Sequence, residues 1–177
     1  MGGARQAMRR SAQGSRPIIQ VEPSDADQVW DLLALLGLVL SMVPTAYAWP
    51  HLPERVPTHF GASGQPDGWG PKAMLLLLPA ISAVMYAVLT VAARYPHTFN
   101  YLVPITAENA EAQYRNAVTM LRAMKAEMTC LLGYLTWQSV QVALGRSAGL
   151  GDWFLPVTLV VVFGTVAHFL WKSYQLR

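Results

Sequence analysis

The chain has 177 residues, of which 53% are hydrophobic and only 13% are charged. Soluble domains usually carry charge on about a quarter of their residues, so this composition argues against a soluble protein and for a membrane protein. The net charge of +3 comes from scattered arginines and lysines without a basic, aromatic-lined face, which argues against nucleic-acid binding. The single cysteine, Cys130, excludes an internal disulfide and a CxxC metal site.

Four apolar segments are each long enough to cross about 30 Å of hydrocarbon as a helix. We therefore predict an all-α integral membrane protein with four transmembrane helices. The polar residues 1–28 form an N-terminal tail, and residues 29–177 form the membrane domain. The expected spans are residues 29–49, 73–94, 119–145 and 153–172.

Local sequence signals predict where the helices begin. Ser24 or Asp25 is the expected N-cap of the first helix, because short polar side chains accept hydrogen bonds from the free N–H groups of a first turn. Thr106 is expected to cap a long third helix, residues 107–145, whose first half projects into or lies along the cytoplasmic interface. No apolar stretch near the start resembles the core of a signal peptide, so a conventional signal peptide is not expected.

The distribution of lysine and arginine predicts the orientation, because cytoplasmic loops carry an excess of these residues. With the N-terminus inside, the inner segments contain ten of the 13 basic residues, and the outer segments contain Arg55, Lys72 and Arg146. We therefore expect both termini and residues 95–118 to face the cytoplasm, and residues 50–72 to face outward. The expected location is the bacterial cytoplasmic (inner) membrane.

A polar interval, residues 50–72, interrupts the first half of the membrane domain and contains five of the twelve prolines. Residues 56–60 favour extended backbone, because Val56 precedes a proline and because Thr and Phe suit strands. Residues 65–68 carry Pro followed by Asp-Gly, which is a turn signal. We predict a compact, ordered loop held by Phe60 and Trp69. The residues expected to shape it are Pro53, Pro57, Gly64, Pro66, Gly68 and Gly70.

The same interval resembles the signature of a bacterial membrane-protein domain-of-unknown-function family that is shared with the SdpI-type toxin-immunity proteins. In that family, a Leu-Pro-x-x-(Ile/Val)-Pro-x-His-(Phe/Trp) run leads through a Gly turn to Pro-Asp-Gly-(aromatic)-Gly and a Lys. A second block, residues 95–101 and 105–115, is similar to the next segment of the family, so the resemblance spans about residues 50–127. The matching positions are Leu52, Pro53, Val56, Pro57, His59, Phe60, Gly64, Pro66, Asp67, Gly68, Trp69, Gly70 and Lys72.

Three roles are open for the polar and aromatic side chains of this loop. Two histidines and two carboxylates, His51, Glu54, His59 and Asp67, are ligand types that zinc accepts, but their spacing is not that of a known metal motif. His59 and Asp67 could instead bind the loop backbone and hold its shape. The third role is direct contact with a partner. The residues predicted for that contact are His59, Phe60, Asp67 and Trp69.

Four polar residues are predicted to lie within the membrane: Glu127, Gln138, Gln141 and His168. Glu127 lies one turn inside the third span, near Arg122 and Lys125, so it is a candidate for ion or proton handling or for a structural ion pair. Gln138 and Gln141 lie three positions apart and are of the type that joins helices in a bundle. His168 is a candidate cofactor ligand, although a lone histidine is usually structural. We expect no metal and no cofactor.

No sequence motif of a known catalytic site occurs in the chain, so we expect no catalytic residues and no enzyme. The resemblance implies a multi-pass membrane protein of the immunity or sensing type, whose outer loop and helix ends bind a protein or peptide. The alternative is an accessory structural subunit of a larger membrane complex, respiratory or photosynthetic. A small transporter-like protein or an enzyme is the third hypothesis. The expected partners are membrane lipid and a protein or peptide, and not nucleic acid.

Overall fold

The computed structural model describes residues 16–177, which are mostly helical. Two strands form an antiparallel hairpin between the first two helices, so the all-α prediction is incomplete. Short 3₁₀ segments adjoin the helices at Trp49–His51, Lys72–Leu76 and Pro96–Thr98. In chain order the main elements are α1 (Asp25–Ala48), β1 (Arg55–Phe60), β2 (Pro66–Pro71), α2 (Leu77–Ala92), α3 (Ala110–Ala143) and α4 (Phe154–Gln175).

The turn of the hairpin differs from the prediction. β1 occupies the stretch that was predicted to be extended, but residues 66–68, predicted as part of a turn, belong to β2. The chain reverses direction at residues 61–65, where the amide of Gly61 donates to the carbonyl of Gln65 at 2.9 Å. Gly64 has a φ of +76°, a conformation that glycine adopts without steric cost. Pairing with β1 has therefore overridden the local turn signal of Pro66 and Asp67.

Within residues 16–177, three helical segments are long and apolar enough to cross a membrane: Asp25–His51, Lys72–Ala92 and Phe154–Gln175. They indicate a membrane protein, as predicted. α3, which contains the third predicted span, is not among them. The reason is its composition, because many of its buried side chains are polar. These are Gln113, Asn116, Lys125, Thr129, Thr136, Gln138 and Ser139.

α3 lies at the centre of the helices and packs against α1, α2 and α4. Its closest crossing is with α1, where two glycines bring the backbones together. A Cβ on Gly37 would lie 2.4 Å from the amide nitrogen of Cys130, and one on Gly133 would lie 2.6 Å from the carbonyl oxygen of Gly37. Small residues at a crossing allow such close approach between helices in lipid. By contrast, a Cβ on Gly164 in α4 would meet no atom within 4 Å.

A side-chain cap defines the start of α1, whereas α3 begins at Ala110 after Asn109, which makes no capping hydrogen bond, so Thr106 does not cap this helix as predicted. Ser24 caps α1 in a capping box, in which its amide donates to Asp27 at 2.9 Å and its hydroxyl accepts from the Asp27 amide at 3.3 Å. α1 thus begins at Asp25, earlier than residue 29, and residues 1–15 of the predicted tail lie outside the described residues. Thr106 caps a turn that precedes α3, since its hydroxyl accepts from the amide of Asn109 at 3.3 Å.

Candidate functional site

The hairpin is anchored on one end of the helices by apolar residues at its root. Val56 in β1 is fully buried and belongs to a cluster with Leu52, Leu75 and Val140. The expected anchors, Phe60 and Trp69, do not form this cluster. Phe60 is half-buried, and Trp69 is 45% exposed. The hairpin therefore buries its proline-flanked root and leaves its aromatic side chains accessible.

The tip of the hairpin contacts the loop between α3 and α4, which the sequence did not predict. The amide of Leu150 donates to the carbonyl of Gly64 at 2.8 Å. A Cβ on Gly149 would lie 2.2 Å from the carbonyl oxygen of Gly64, and one on Gly64 would lie 2.8 Å from that of Gly151. Only glycines fit at this contact. The hairpin is consequently held at both its root and its tip.

The exposed part of the hairpin carries a histidine–carboxylate hydrogen bond between its strands. His59 Nδ1 and Asp67 Oδ1 lie 2.5 Å apart, and their side chains are 72% and 53% exposed. The two residues therefore bond to each other instead of to the loop backbone. Gly68 faces His59 across the strands, where an added Cβ would lie 2.9 Å from the Cβ of His59. Gly68 thus allows close strand pairing and does not need a positive φ.

The other residues predicted to shape the loop also lie in or beside the strands. Pro57 pairs with Trp69 and Pro66 pairs with Phe60, while Pro53 is exposed just before β1. A Cβ on Gly70 would lie 2.9 Å from the Thr58 methyl group. The four residues predicted to contact a partner, His59, Phe60, Asp67 and Trp69, thus occupy one short hairpin, and we call them the hairpin surface.

A mostly apolar cleft of about 500 Å³ lies between the hairpin and the helices. β1 forms one wall, with Phe60 half-buried and Thr58 and His59 exposed. α2, α3 and α4 supply aliphatic and aromatic side chains, and we call this space the hairpin cleft. Its helical lining includes Leu77, Leu78, Leu135, Ser139, Phe154 and Leu155.

The predicted intramembrane polar residues occupy separate places. Glu127 accepts a hydrogen bond from Thr165 of α4, instead of pairing with Arg122 or Lys125. Gln138 donates to the carbonyl of Gly149 at 2.8 Å and so connects α3 to the following loop. Gln141 is half-buried on the next turn of α3. His168 is exposed on α4, with its ring edge-on to that of Phe169. The structure does not bring these four residues into one site.

A cluster of four charges, missed by the sequence analysis, lies where α1 begins. Lys125 of α3 is 3% exposed and donates to Asp31 of α1 at 2.7 Å and to Thr90 of α2 at 3.0 Å. Arg122 lies 3.4 Å from Asp27 and 3.8 Å from Asp31. We call Asp27, Asp31, Arg122 and Lys125 the charged cluster. Spacings of four and three positions place each pair on one helix face, a signal that was present in the sequence.

Polar side chains of α3 also bind the end of α4. The amide of Gln113 donates to the carbonyls of Ser173 at 2.8 Å and Leu176 at 2.9 Å. Asn116 donates to the carbonyl of Phe169 at 3.0 Å. The Ser173 and Leu176 carbonyls lie at the end of α4, where helix acceptors lack partners, so Gln113 replaces water there. The Phe169 carbonyl lies further inside α4, where the Asn116 amide joins the two helices.

The connection between α2 and α3 contains two groups with shifted pKa values. Burial raises the pKa of the Tyr101 phenol, whose hydroxyl donates to the carbonyl of Pro96 at 2.9 Å. A hydrogen bond from the Thr106 side chain lowers the pKa of Glu108. Both shifts fit structural roles. In residues 16–177, no three His, Cys, Asp or Glu side chains converge as metal ligands would.

The fold and the hairpin therefore define a helical membrane protein with a small two-stranded cap on one end of its helices. Residues 36–83, which run from α1 through the hairpin into α2, match a family described as "Domain of unknown function (DUF1648)". This match confirms the predicted similarity to a domain-of-unknown-function family over residues 50–83. It begins earlier than predicted, at residue 36, and does not extend to the second block at residues 95–115.

Comparison with other proteins gives one relative without an assigned function and no solved structure. An "Uncharacterized protein" from Archaeoglobus fulgidus is 37% identical over 76 residues, which are 38% of this chain and 42% of the relative. The chain thus matches less than half the length of that relative. No solved structure shows a significant match to the chain.

Proposed function

We propose that this protein crosses the cytoplasmic membrane four times and binds a protein or peptide at the outer face through its hairpin surface. The observation that supports this proposal best is the exposed His59–Asp67 pair beside the exposed ring of Trp69, on a hairpin held at both root and tip. The role is of the immunity or sensing type, in keeping with the resemblance to SdpI-type proteins. It requires no catalysis.

The position of α3 supports a fourth span. With 34 residues, α3 is about 50 Å long at roughly 1.5 Å per residue, which is enough to cross the hydrocarbon and extend beyond it. Three of its Ser and Thr hydroxyl groups bond to its own backbone. Thr129, Thr136 and Ser139 each donate to the carbonyl four residues earlier, at 2.7–2.9 Å. Because α1, α2 and α4 surround α3, its polar face does not need to meet lipid.

The hairpin surface has properties that favour protein recognition. Aromatic side chains supply large contact area with few rotatable bonds, and they dominate many interfaces. A hairpin that is already held in place loses little conformational entropy on binding. The hairpin cleft beside it, about 500 Å³ and mostly apolar, has room for hydrophobic side chains of a peptide. The partner that fits best is therefore a membrane-associated peptide with both apolar and polar groups.

The test is affinity capture from native membranes with the wild-type chain and with a Trp69→Ala, Asp67→Asn double variant. We expect the double variant to lose the captured partner while retaining its helix content by circular dichroism. Trp171→Ala is a matched control, because this tryptophan is 62% exposed on α4 and is not part of the hairpin surface. An unchanged yield for the double variant, with the fold retained, would exclude the hairpin surface as the recognition element.

A second candidate is an accessory structural subunit of a larger membrane complex. It is favoured by a groove of about 300 Å³ between α1 and α4, lined by apolar side chains that include Trp30, Leu33 and Val157. A neighbouring helix could occupy such a groove. Mild extraction of native membranes followed by size separation distinguishes the two candidates. Co-migration with a large complex at fixed stoichiometry supports the subunit, and migration as a small protein supports the immunity or sensing role.

A further inference from the structure

A second cavity, of about 380 Å³, lies at the opposite end of α1 from the hairpin. It is enclosed by the beginning of α1, the end of α2, the middle of α3 and the segment that precedes α1. We call it the inner cavity. Its lining is rich in charged groups, with three basic and two acidic side chains. These are Arg94, Arg122, Lys125, Glu22 and Asp31.

The basic groups of the inner cavity differ in how fully they are bonded. Lys125 is saturated, because it donates to Asp31 and Thr90 and lies 4.8 Å from the centre of the Tyr86 ring. Arg122 is not. Its side chain is 13% exposed, its Nη1 is buried without a hydrogen bond, and its two carboxylate neighbours lie at 3.4 and 3.8 Å.

Arg94 adds a second group of free donors at the rim of the cavity. It follows the end of α2, and its exposed guanidinium forms no hydrogen bond or ion pair within residues 16–177. Guanidinium groups have planar sets of donors that match phosphate oxygens. The inner cavity thus contains two guanidinium groups with unused donors above a lysine that is already neutralised by Asp31.

The helix ends place the inner cavity at the level of a membrane surface. Asp31 lies in the second turn of α1 and Thr90 lies in the last turn of α2, and both helices are apolar enough to cross the membrane. Lipid phosphates lie just outside the hydrocarbon, where helix ends emerge. A phosphate group of a neighbouring lipid would therefore be found at this depth.

We propose that the inner cavity binds a phosphate group, held by the guanidinium groups of Arg94 and Arg122. Asp27 and Asp31 keep Arg122 in position. Asp27, which pairs with Arg122, brings the charged side chains at the cavity to three basic and three acidic. The planar donors of the two guanidinium groups, and not a net positive charge, are therefore what would hold the phosphate. Anionic glycerophospholipids and soluble phosphate compounds share this chemistry, and a lipid with a cationic headgroup would bring its cation near Arg94.

The experiment uses the full-length protein purified in a mild detergent. Phosphatidylglycerol, phosphatidylcholine or inorganic phosphate is added, and bound lipid is counted by native mass spectrometry while thermal unfolding is followed in parallel. The variant is Arg94→Gln, which removes the charge of an exposed residue with no partner in the described fold. The matched control is Arg146→Gln, which removes an exposed arginine from the loop after α3. Arg122→Lys keeps the charge beside Asp27 but removes the planar donors.

We expect phosphatidylglycerol to bind in preference to phosphatidylcholine. Arg94→Gln should weaken its binding about tenfold or more, since hydrogen bonds to charged groups contribute at least that factor. Arg146→Gln should bind as the wild type does. Inorganic phosphate could instead raise the unfolding temperature of the wild type but not of Arg94→Gln, and prevent the retention of lipid. That result would support the phosphate site and show that its ligand is a soluble phosphate compound. Equal retention of both lipids, with no effect of phosphate or of Arg94→Gln, would overturn the proposal. If Arg122→Lys loses helix content, the comparison of Arg94→Gln with Arg146→Gln tests the proposal by itself.

Discussion

The backbone amide of Leu150, in the loop between α3 and α4, donates a hydrogen bond to the carbonyl of Gly64 at 2.8 Å. This bond connects the tip of the hairpin to the far half of the chain. Together with the buried Val56 at the root, it fixes the hairpin on the helices. The exposed pair of His59 and Asp67 therefore has a defined position relative to the helices.

The contact between the hairpin tip and the α3–α4 loop should depend on the absence of a side chain at Gly149. Gly149→Ala places a Cβ 2.2 Å from the backbone carbonyl of Gly64, which cannot move without breaking the bond to Leu150. We expect the free energy of unfolding to fall by about 1–3 kcal/mol. Gly164→Ala is the control, since its Cβ meets nothing and alanine favours helix. Equal stability of the two variants, measured by unfolding in detergent, would contradict the contact.

The crossing of α1 and α3 should be sensitive to one added methyl group on either helix. Gly37→Ala and Gly133→Ala should each lower the free energy of unfolding by about 1–3 kcal/mol, because the helix backbones must separate. The double variant should lose less than the sum, since one separation accommodates both methyl groups. Thermal unfolding of the four proteins measures this coupling. Strict additivity would mean that the two glycines do not share one crossing.

The charged cluster should contribute to stability through the burial of Lys125. Asp31→Asn leaves the ammonium group, which is 3% exposed, without its carboxylate partner. We expect a loss of about 1–3 kcal/mol in the free energy of unfolding. Glu111→Gln removes a comparable but exposed pair with Arg115 and should change stability by less than about 0.5 kcal/mol. Similar losses for the two variants would show that burial does not strengthen the cluster.

The proposed crossing of α3 predicts that its two ends are on opposite sides of the membrane. In a Cys130→Ala background, Ser147→Cys and Ser63→Cys should react with an impermeant thiol reagent added to intact cells. Thr106→Cys should react only after the membrane is opened. The physical reason is the excess of lysine and arginine in the segments assigned to the cytoplasm. Reaction of Thr106→Cys and Ser147→Cys from the same side would exclude a span by α3.

Hydrophobic length and local backbone preferences, read from the sequence, predicted the apolar helices and the extended stretch at residues 56–60. These are local properties, because apolar residues along one segment determine whether it suits hydrocarbon. The capping of α1 by Ser24 could likewise be predicted from the sequence, because its partner Asp27 is only three positions away. The part of the family similarity that covers residues 50–83 was also visible in the loop motif.

Only the tertiary structure decided which distant residues meet. Pro66, Asp67 and Gly68 have the chemistry of a turn, yet cross-strand pairing with β1 places them in a strand. Glu127 lies near Arg122 and Lys125 in sequence, but helix rotation directs it to Thr165 and directs the two basic residues to α1. The physical reason is that helix rotation and strand register depend on packing across the whole fold. Local sequence sets the length and polarity of an element but leaves its neighbours undetermined.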